Sequence, residues 1–185
     1  MKNLAKLAIA CASIMTAMAT ESAAQGIYAF KGGARIAAAS CPSYVERPGA
    51  RIGSVNGQLR VYDPNTPIKV RVVCALPLPE KAKLRQFVMV GNVSKGEIFA
   101  YIAQESWNEP RSVPFFANIS LLPSTPFEVP ARQQKKIVKN VPTSGSESMT
   151  TDRINTYFIE AEIASTSPVD EANALELFYF EVYWD

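Results

Sequence analysis

The chain contains no histidine, and this absence removes the usual parts of several catalytic and metal sites. Without histidine there is no Ser-His or Cys-His nucleophile pair and no histidine-containing zinc site. There is also no Gly-rich phosphate loop, and the Ser144–Ser148 stretch lacks the G-x-S-x-G pattern of a nucleophile elbow. We therefore predict a protein that is not an enzyme, with no catalytic, cofactor-binding or metal-binding residue.

An excess of charge of one sign is missing as well. The chain has 19 basic and 17 acidic residues, which gives a formal net charge of +2. Nucleic-acid-binding domains usually carry a clear basic excess, so a nucleic acid is not predicted as the partner. Some basic residues still cluster in sequence, either as a patch for an anionic glycan or phospholipid head group or as charges that keep edge strands from aggregating. These residues are Lys81, Lys83, Arg85, Arg132, Lys135, Lys136 and Lys139.

Long apolar runs are limited to the start of the chain. A basic beginning precedes the apolar run Leu7–Ala19, and Ser22-Ala23-Ala24 supplies the small residues that a signal peptidase reads. This pattern predicts a signal peptide over residues 1–24, cleaved before Gln25, and a single domain over residues 25–185. No later run reaches the roughly 20 residues of a membrane-spanning helix. We expect a periplasmic or secreted product with no membrane span after processing.

Cysteine is scarce, and only Cys41 and Cys74 remain after removal of the signal peptide. Two cysteines in an exported chain usually form one disulfide. The bond would close a loop with 32 residues between its ends. Closing a loop of that size stabilises a protein by roughly 3–4 kcal/mol in the chain-entropy account. Two buried free thiols are the alternative.

The clearest structural pattern is the stretch Ile68–Leu76. Its apolar side chains recur with a period of two, while Lys69 and Arg71 fall on the opposite face, which predicts a half-buried strand. Cys74 is in phase with the apolar face, so the disulfide would join this strand to the N-terminal third of the chain. The segment Asp63–Pro67 before it reads as a turn.

The rest of the chain adds short strands with turn signals between them and no convincing helix of ten residues. Together they predict an all-β fold of eight or nine strands, an antiparallel sandwich of immunoglobulin-like or jelly-roll type. Leu84–Val93 and Glu97–Gln104 are expected to pair as a hairpin, and Asn56-Gly57 to form a tight turn. The other predicted strands are Gln58–Tyr62, Val113–Leu122, Gln133–Val141, Thr156–Ala164 and Ala174–Trp184. In the last of these, Phe178, Phe180, Val182 and Trp184 share one face.

Aromatic residues are the candidates for ligand contact. Trp107, in an apparent loop, and Tyr101 are the first choice, and with Phe99 and Tyr183 they could line a face that binds sugar or peptide. The alternative is that these rings belong to the core and to cross-strand pairs.

Glu160 and Glu162 project from the same face of a predicted strand. Carboxylates at positions i and i+2 are roughly 7 Å apart, a separation within the range of glycosidases. A strand with one polar face carries charges there in any case, so solvated surface is the favoured interpretation.

The segment from Cys41 to V-V-C-A-L at Val72–Leu76 resembles a set of small exported bacterial proteins of unknown function. Their signature is an early cysteine, a Gly/Asn loop and a strand that ends V-V-C-P-L, with Ala75 here in place of the proline. The resemblance implies a secreted β-sandwich with a Cys41–Cys74 bridge and implies no activity.

The chain is also similar to fimbrial subunits of the chaperone–usher type in its export, its size, its early disulfide and its aromatic last strand with Tyr179, Tyr183 and Trp184. That likeness implies an incomplete sandwich that a strand from a neighbouring subunit completes, with Gln25–Ile36 as the donor strand.

The leading hypothesis is an exported, non-catalytic β-sandwich that acts as a binding or structural module with a protein or glycan partner and no cofactor. A self-assembling surface subunit, a homo-oligomer joined by strand exchange, is the second hypothesis. A small outer-membrane barrel is the third, and the lysines at 135, 136 and 139 argue against it.

Overall fold

The computed structural model describes residues 26–106, 109–122, 134–141, 150–152 and 155–185. The predicted signal peptide, Trp107 and Arg132 lie outside these ranges. The described chain forms eleven strands and two three-residue 3-10 helices, Ala38–Ser40 and Glu171–Asn173. The strands are β1 (Ile27–Phe30), β2 (Gly33–Ala37), β3 (Ser43–Val45), β4 (Arg51–Val55), β5 (Gln58–Ala75), β6 (Leu84–Asn92), β7 (Glu97–Ser106), β8 (Glu109–Leu121), β9 (Lys135–Asn140), β10 (Asn155–Val169) and β11 (Leu175–Trp184).

The strands form two antiparallel sheets that share β5. Sheet A has the order β1-β2-β11-β6-β9, and the first part of β5 pairs with the start of β11 and carries β4 on its other side. Sheet B has the order β3-β5-β10-β7-β8. The predicted antiparallel β-sandwich is confirmed, with eleven strands in the described ranges instead of eight or nine. Two of the additional strands, β3 and β4, lie within residues 41–57, where the prolines and glycines of the sequence predict a loop.

The core lies between the two sheets and follows the alternation of the strands. In β5 the side chains of Ile68, Val70 and Val72 are at most 1% exposed, while Lys69 and Arg71 point outward, as the period of two predicts. Phe87 and Phe180 stack on the sheet A side with ring centroids 5.9 Å apart. Burying one such aromatic side chain contributes about 1.5–3 kcal/mol.

The disulfide between Cys41 and Cys74 is present and anchors the N-terminal third of the chain to β5. Cys41 follows the first 3-10 helix directly, and the next residues form β3, which pairs with β5 around Val72. The cross-link therefore fixes the register of an edge strand that is only three residues long.

The predicted turn at Asp63–Pro67 is instead an irregular part of one long strand. The Asp63 carboxylate accepts hydrogen bonds from the backbone N–H of Asn65 at 2.8 Å and from the hydroxyl of Thr66 at 2.5 Å. This is the side-chain chemistry of a turn. The pairing with β10 shifts register at the same place, and here β5 passes from sheet A to sheet B.

The predicted hairpin of Leu84–Val93 with Glu97–Gln104 is wrong. β6 pairs with β11 and β9 in sheet A, whereas β7 pairs with β10 and β8 in sheet B. Gly96 lies in the connection that passes from β6 in sheet A to β7 in sheet B. Its φ is +119°, and a Cβ there would lie 2.2 Å from the carbonyl oxygen of Ala164, so the connection requires glycine at this position. A short Gly-containing connection is equally typical of a hairpin, so its sequence does not distinguish the two arrangements.

The register of β11 contains a second departure from the predicted pattern. Leu177 pairs with Gly91 and Tyr179 pairs with Val90, so Phe178 is an extra residue, a β-bulge. Leu177 is fully buried, as are Phe180 and Val182, whereas Phe178 is turned out of the core. The prediction that Phe178 shares the core face is therefore wrong. A bulge redirects a side chain in this way because it adds one residue to one strand only.

Candidate functional site

A cleft opens on the outer face of sheet A, beside the β1–β2 hairpin, and has a volume of about 430 Å³. We call it the aromatic cleft. Its side chains come from five separate parts of the sequence. They include Tyr28, Arg35, Asn56, Gln58, Gln134, Phe178 and Tyr179. Aromatic rings together with a few polar groups are typical of a small-molecule binding site.

Tyr28 supplies the most exposed ring of the cleft. Its side chain is 70% exposed, and its ring centroid lies 6.2 Å from that of Phe30. Phe30 in turn lies 5.5 Å from Tyr183 and covers Gly33, where a Cβ would come within 2.3 Å of the Phe30 ring. Gly33 therefore allows the Phe30 ring to pack closely over the backbone of β2, and Tyr28 beside it on the edge strand stays largely exposed.

Arg35 forms the polar wall of the cleft and is held from two sides. Its guanidinium lies 4.5 Å from the ring centroid of Tyr179, within the range of a cation–π contact. Its Nε donates a hydrogen bond of 2.8 Å to Glu181 Oε1, and Nη2 donates one of 2.5 Å to the same oxygen. The side chain is still 54% exposed, so donors of the guanidinium remain open to the cleft.

Glu181 is the buried anion under this arrangement, with a side chain that is 3% exposed. Its second oxygen accepts a hydrogen bond of 3.1 Å from the Tyr183 hydroxyl and lies 3.8 Å from Lys136 Nζ. Burial raises the pKa of the Glu181 carboxyl, but the hydrogen bonds from Arg35 and Tyr183 and the nearby positive charges lower it to a net value below the ordinary one. The carboxylate thus stays charged and fixes Arg35.

Two amides reach the cleft because of the Asn-Gly turn that joins β4 to β5. Asn56 has φ +52° and Gly57 has φ +78°, and Val55 pairs with Gln58, so the predicted tight turn is confirmed. A turn with two positive φ values favours Asn-Gly. It brings Asn56 and Gln58 to the same cleft as Tyr28.

Tyr101, a predicted ligand contact, lies on the outer face of sheet B. Its ring centroid is 5.8 Å from that of Phe99, and burial with a hydrogen bond to Glu160 raises the pKa of Tyr101 to about 12. Tyr183 is on the outer face of sheet A, so these rings do not form one binding face. Trp107 lies outside the described residues.

Glu160 and Glu162 lie side by side on the face of sheet B, as predicted. Arg71 Nε is 3.1 Å from Glu160, and Lys69 Nζ is 3.4 Å from Glu162. Both cations also pair with Glu46, at 3.2 and 3.1 Å. The two carboxylates thus belong to a ladder of ion pairs that joins β10 and β5 to Glu46, the residue after β3, which supports the interpretation as a charged surface.

The basic residues that cluster in the sequence make different contacts in the structure. Arg85 forms an ion pair with the Asp185 carboxylate, and Lys135 Nζ donates to the carbonyl oxygen of Leu122 at 3.0 Å. Lys136 reaches from β9 across β6 to Glu181. Val88 and Val90 lie on that part of β6, on the outer face, and are at most 1% exposed.

In the described ranges, no helix has the length and apolar character that a membrane crossing requires. The same ranges hold no group of three or more Cys, Asp or Glu side chains placed to bind a metal ion.

No family model and no curated protein matches the chain. Among solved structures, it is similar to TmCBM61 in complex with β-1,4-galactotriose, at 7% identity over 78% of this chain and 88% of the other, with a TM-score of 0.45. It is also similar to a family 35 carbohydrate-binding module from Clostridium thermocellum, at 12% identity over 81% and 96% of the two chains, with a TM-score of 0.43.

A third similarity is to the isomalto-dextranase of Arthrobacter globiformis T6 complexed with panose, at 13% identity and a TM-score of 0.49. The match covers 84% of this chain and 24% of that enzyme. At such identities and scores, none of the three similarities carries an argument about what this chain binds.

Sequence reasoning missed the aromatic cleft. Its side chains are separated by up to 151 positions, from Tyr28 to Tyr179, and none of the contributing segments is a recognisable motif. The one local signal was Asn56-Gly57, which predicts a tight turn but does not predict what the turn faces.

Proposed function

We propose that this protein is a non-catalytic module that binds saccharides in the aromatic cleft. The observation that carries the proposal is the exposed ring of Tyr28 facing a cleft with three amide side chains, Asn56, Gln58 and Gln134. An open aromatic face suits the apolar C–H face of a sugar ring. Amides both donate and accept hydrogen bonds, as sugar hydroxyls do.

The arrangement of Arg35 supports the same function. Arg35 is fixed by Glu181 and by the ring of Tyr179, so its open N–H groups are positioned before a ligand arrives. Preorganised donors favour binding because less conformational entropy is lost on association.

The non-catalytic part of the proposal rests on the two carboxylates that resembled a catalytic pair. Glu160 and Glu162 are engaged with Arg71 and Lys69 on the open face of sheet B, away from the cleft. Hydrolysis of a bound saccharide that disappears in the variants Glu160→Gln or Glu162→Gln would contradict it.

We also propose that the protein acts outside the cytoplasm. The formed Cys41–Cys74 disulfide supports this location, since such bonds persist in oxidising compartments.

The function is tested by screening the protein, residues 25–185, on a glycan array and measuring the affinity of the hits by calorimetry. Tyr28→Ala should weaken binding at least tenfold, because it removes the open ring face. Tyr44→Ala is the matched control, since Tyr44 is 56% exposed but belongs to β3 in sheet B. Absence of any saccharide ligand, or an equal loss in both variants, would overturn the proposal.

A further inference from the structure

A second cavity continues the aromatic cleft towards the other end of sheet A. Its volume is about 400 Å³, and Gln58, Gln134 and Phe178 line both cavities. We call the second cavity the amide section. The three shared lining residues place the two cavities side by side, with the bulged Phe178 between them.

We propose that the two cavities are one groove that holds a linear, uncharged, hydroxyl-rich chain, with at least one sugar unit in each cavity. The inference rests on the proposed saccharide-binding function and extends it from a single unit to a chain.

The length of the groove favours a chain over a single ring. Along β11, Glu176 lines the amide section and Tyr179 lines the aromatic cleft, and three residues of a strand span about 10 Å. From β11 across β2 to Tyr28 on β1 is two strand spacings, about 10 Å at right angles to the first distance, so the diagonal is about 14 Å. A single monosaccharide would leave one of the two cavities empty.

The hydrogen-bonding groups of the amide section match hydroxyls. Asn92, Asn173, Gln58 and Gln134 line it. Within the described residues, the side-chain amides of Gln58 and Gln134 have no hydrogen-bond partner, whereas the side chain of Asn173 is held by Asp170 at 2.9 Å. Amides that are not satisfied by protein can donate to and accept from the same ligand.

The charges of the groove select an uncharged chain. Each arginine in it has its own carboxylate: Arg35 pairs with Glu181, and Arg60 Nε lies 3.1 Å from Glu176 Oε1. Arg60 is further held by a hydrogen bond of 3.0 Å from Nη2 to the carbonyl oxygen of Glu171. An anionic ligand would have to compete with these internal partners, whereas hydroxyl groups need only the remaining donors.

The test measures affinity against chain length by calorimetry with cello-, xylo-, manno- and β-1,4-galacto-oligosaccharides of two to six units. Affinity should rise at least tenfold between two and four units and then level off. Ala172→Leu, which narrows the amide section, should lower the affinity for the longer chains tenfold and leave the disaccharide unchanged. Lys95→Leu is the matched control, because Lys95, next to Ser94, is an exposed residue and does not line the groove.

Three other outcomes have distinct meanings. Equal affinity for all lengths, or no effect of Ala172→Leu on the longer chains, overturns the continuous groove and leaves the saccharide-binding function standing. Tighter binding of oligogalacturonates than of the neutral series overturns the uncharged class of ligand. Binding of none of these oligosaccharides, nor of any glycan on the array, overturns the function and the groove together.

Discussion

Glu181 is a buried carboxylate that holds Arg35 and Tyr183 in place on the outer face of sheet A. A buried carboxylate costs free energy unless its oxygens are paired, and here Arg35 and Tyr183 donate to both of them. The ion pair joins positions 146 residues apart, so it is fixed by the pairing of β2 with β11. Removing the charge should therefore affect both folding stability and the orientation of Arg35.

We expect Glu181→Gln to lower the free energy of unfolding at neutral pH by about 1–2 kcal/mol, at the low end for a buried pair because Arg35 is half-exposed. The folded-state pKa of Glu181 is lowered, so its stabilisation is present above the ordinary carboxyl pKa of 4.5 and is lost as pH falls through the folded value. The difference between wild type and variant in urea unfolding should thus shrink from pH 7 to pH 3.

The control for this experiment is Glu162→Gln on sheet B. The Glu162 side chain is 44% exposed, and its pair with Lys69 is a surface contact, so the change should stay within about 0.5 kcal/mol. A difference for Glu181→Gln that is independent of pH would contradict a role for its charge.

At the scale of single elements, the bulge in β11 determines which of its side chains enter the core and which line the groove. The period of two predicts that Phe178, Phe180, Val182 and Trp184 share one face; Phe180 and Val182 are buried, and Trp184 is partly buried against the core. The extra residue in the register moves Phe178 to the groove and lets Leu177 enter the core. An alternating sequence contains no sign of such a shift when residues on both phases are apolar.

The bulge predicts opposite consequences for two neighbouring phenylalanines. Phe180→Ala should cost about 3–5 kcal/mol of unfolding free energy, because it leaves a cavity in the core. Phe178→Ala should cost about 1 kcal/mol or less but weaken saccharide binding, since its ring lines both halves of the groove. Urea unfolding and calorimetry on both variants check this pair. A large loss of stability with intact binding in Phe178→Ala would place that ring in the core.

β5 was the best predicted element, because a strong alternation and a cysteine in phase with the core occur together in Ile68–Cys74. Its partners were not predictable in the same way. Strand pairing depends on long-range contacts, so β6 and β7 looked like a hairpin although they belong to different sheets.

The disulfide should stabilise the protein mainly by restricting the unfolded chain. Replacing both Cys41 and Cys74 by alanine should lower the free energy of unfolding by about 3–4 kcal/mol, as expected for a cross-link over 33 positions. Chemical denaturation of the double variant measures this loss, and the reduced wild-type protein is the control. A loss below about 1 kcal/mol would mean that the three-residue strand β3 holds its register without the cross-link.

For the whole molecule, the groove is a product of topology. Four separate segments line its aromatic cleft: the β1–β2 hairpin, the Asn56-Gly57 turn, Gln134 before β9 and the bulge in β11. These segments meet on one sheet face only after the sandwich has formed. Composition and strand periodicity were sufficient to predict the sandwich, because a core between two sheets demands alternation. The site required the order of strands in sheet A, which no local pattern encodes.

The same topology predicts the state of association. Gly33–Ala37 pairs with β11 of its own chain, and Ala34 and Ile36 are at most 1% exposed there. The segment Gln25–Ile36, the expected donor strand of a fimbrial-type subunit, thus already fills a place in its own sheet from Ile27 onward. We expect residues 25–185 to be a monomer over a hundredfold range of concentration, measured by light scattering after gel filtration.

Deleting residues 25–36 provides the comparison for that measurement. The deletion should leave the edge of β11 and part of the core uncovered, so we expect loss of solubility or of cooperative unfolding. Polymers of the intact protein that grow with concentration and disappear on this deletion would contradict the closed sheet. Strand exchange would then be the mode of assembly. The β1–β2 hairpin would have to separate from β11 of its own chain, and the aromatic cleft would lose the side chains of Tyr28 and Arg35.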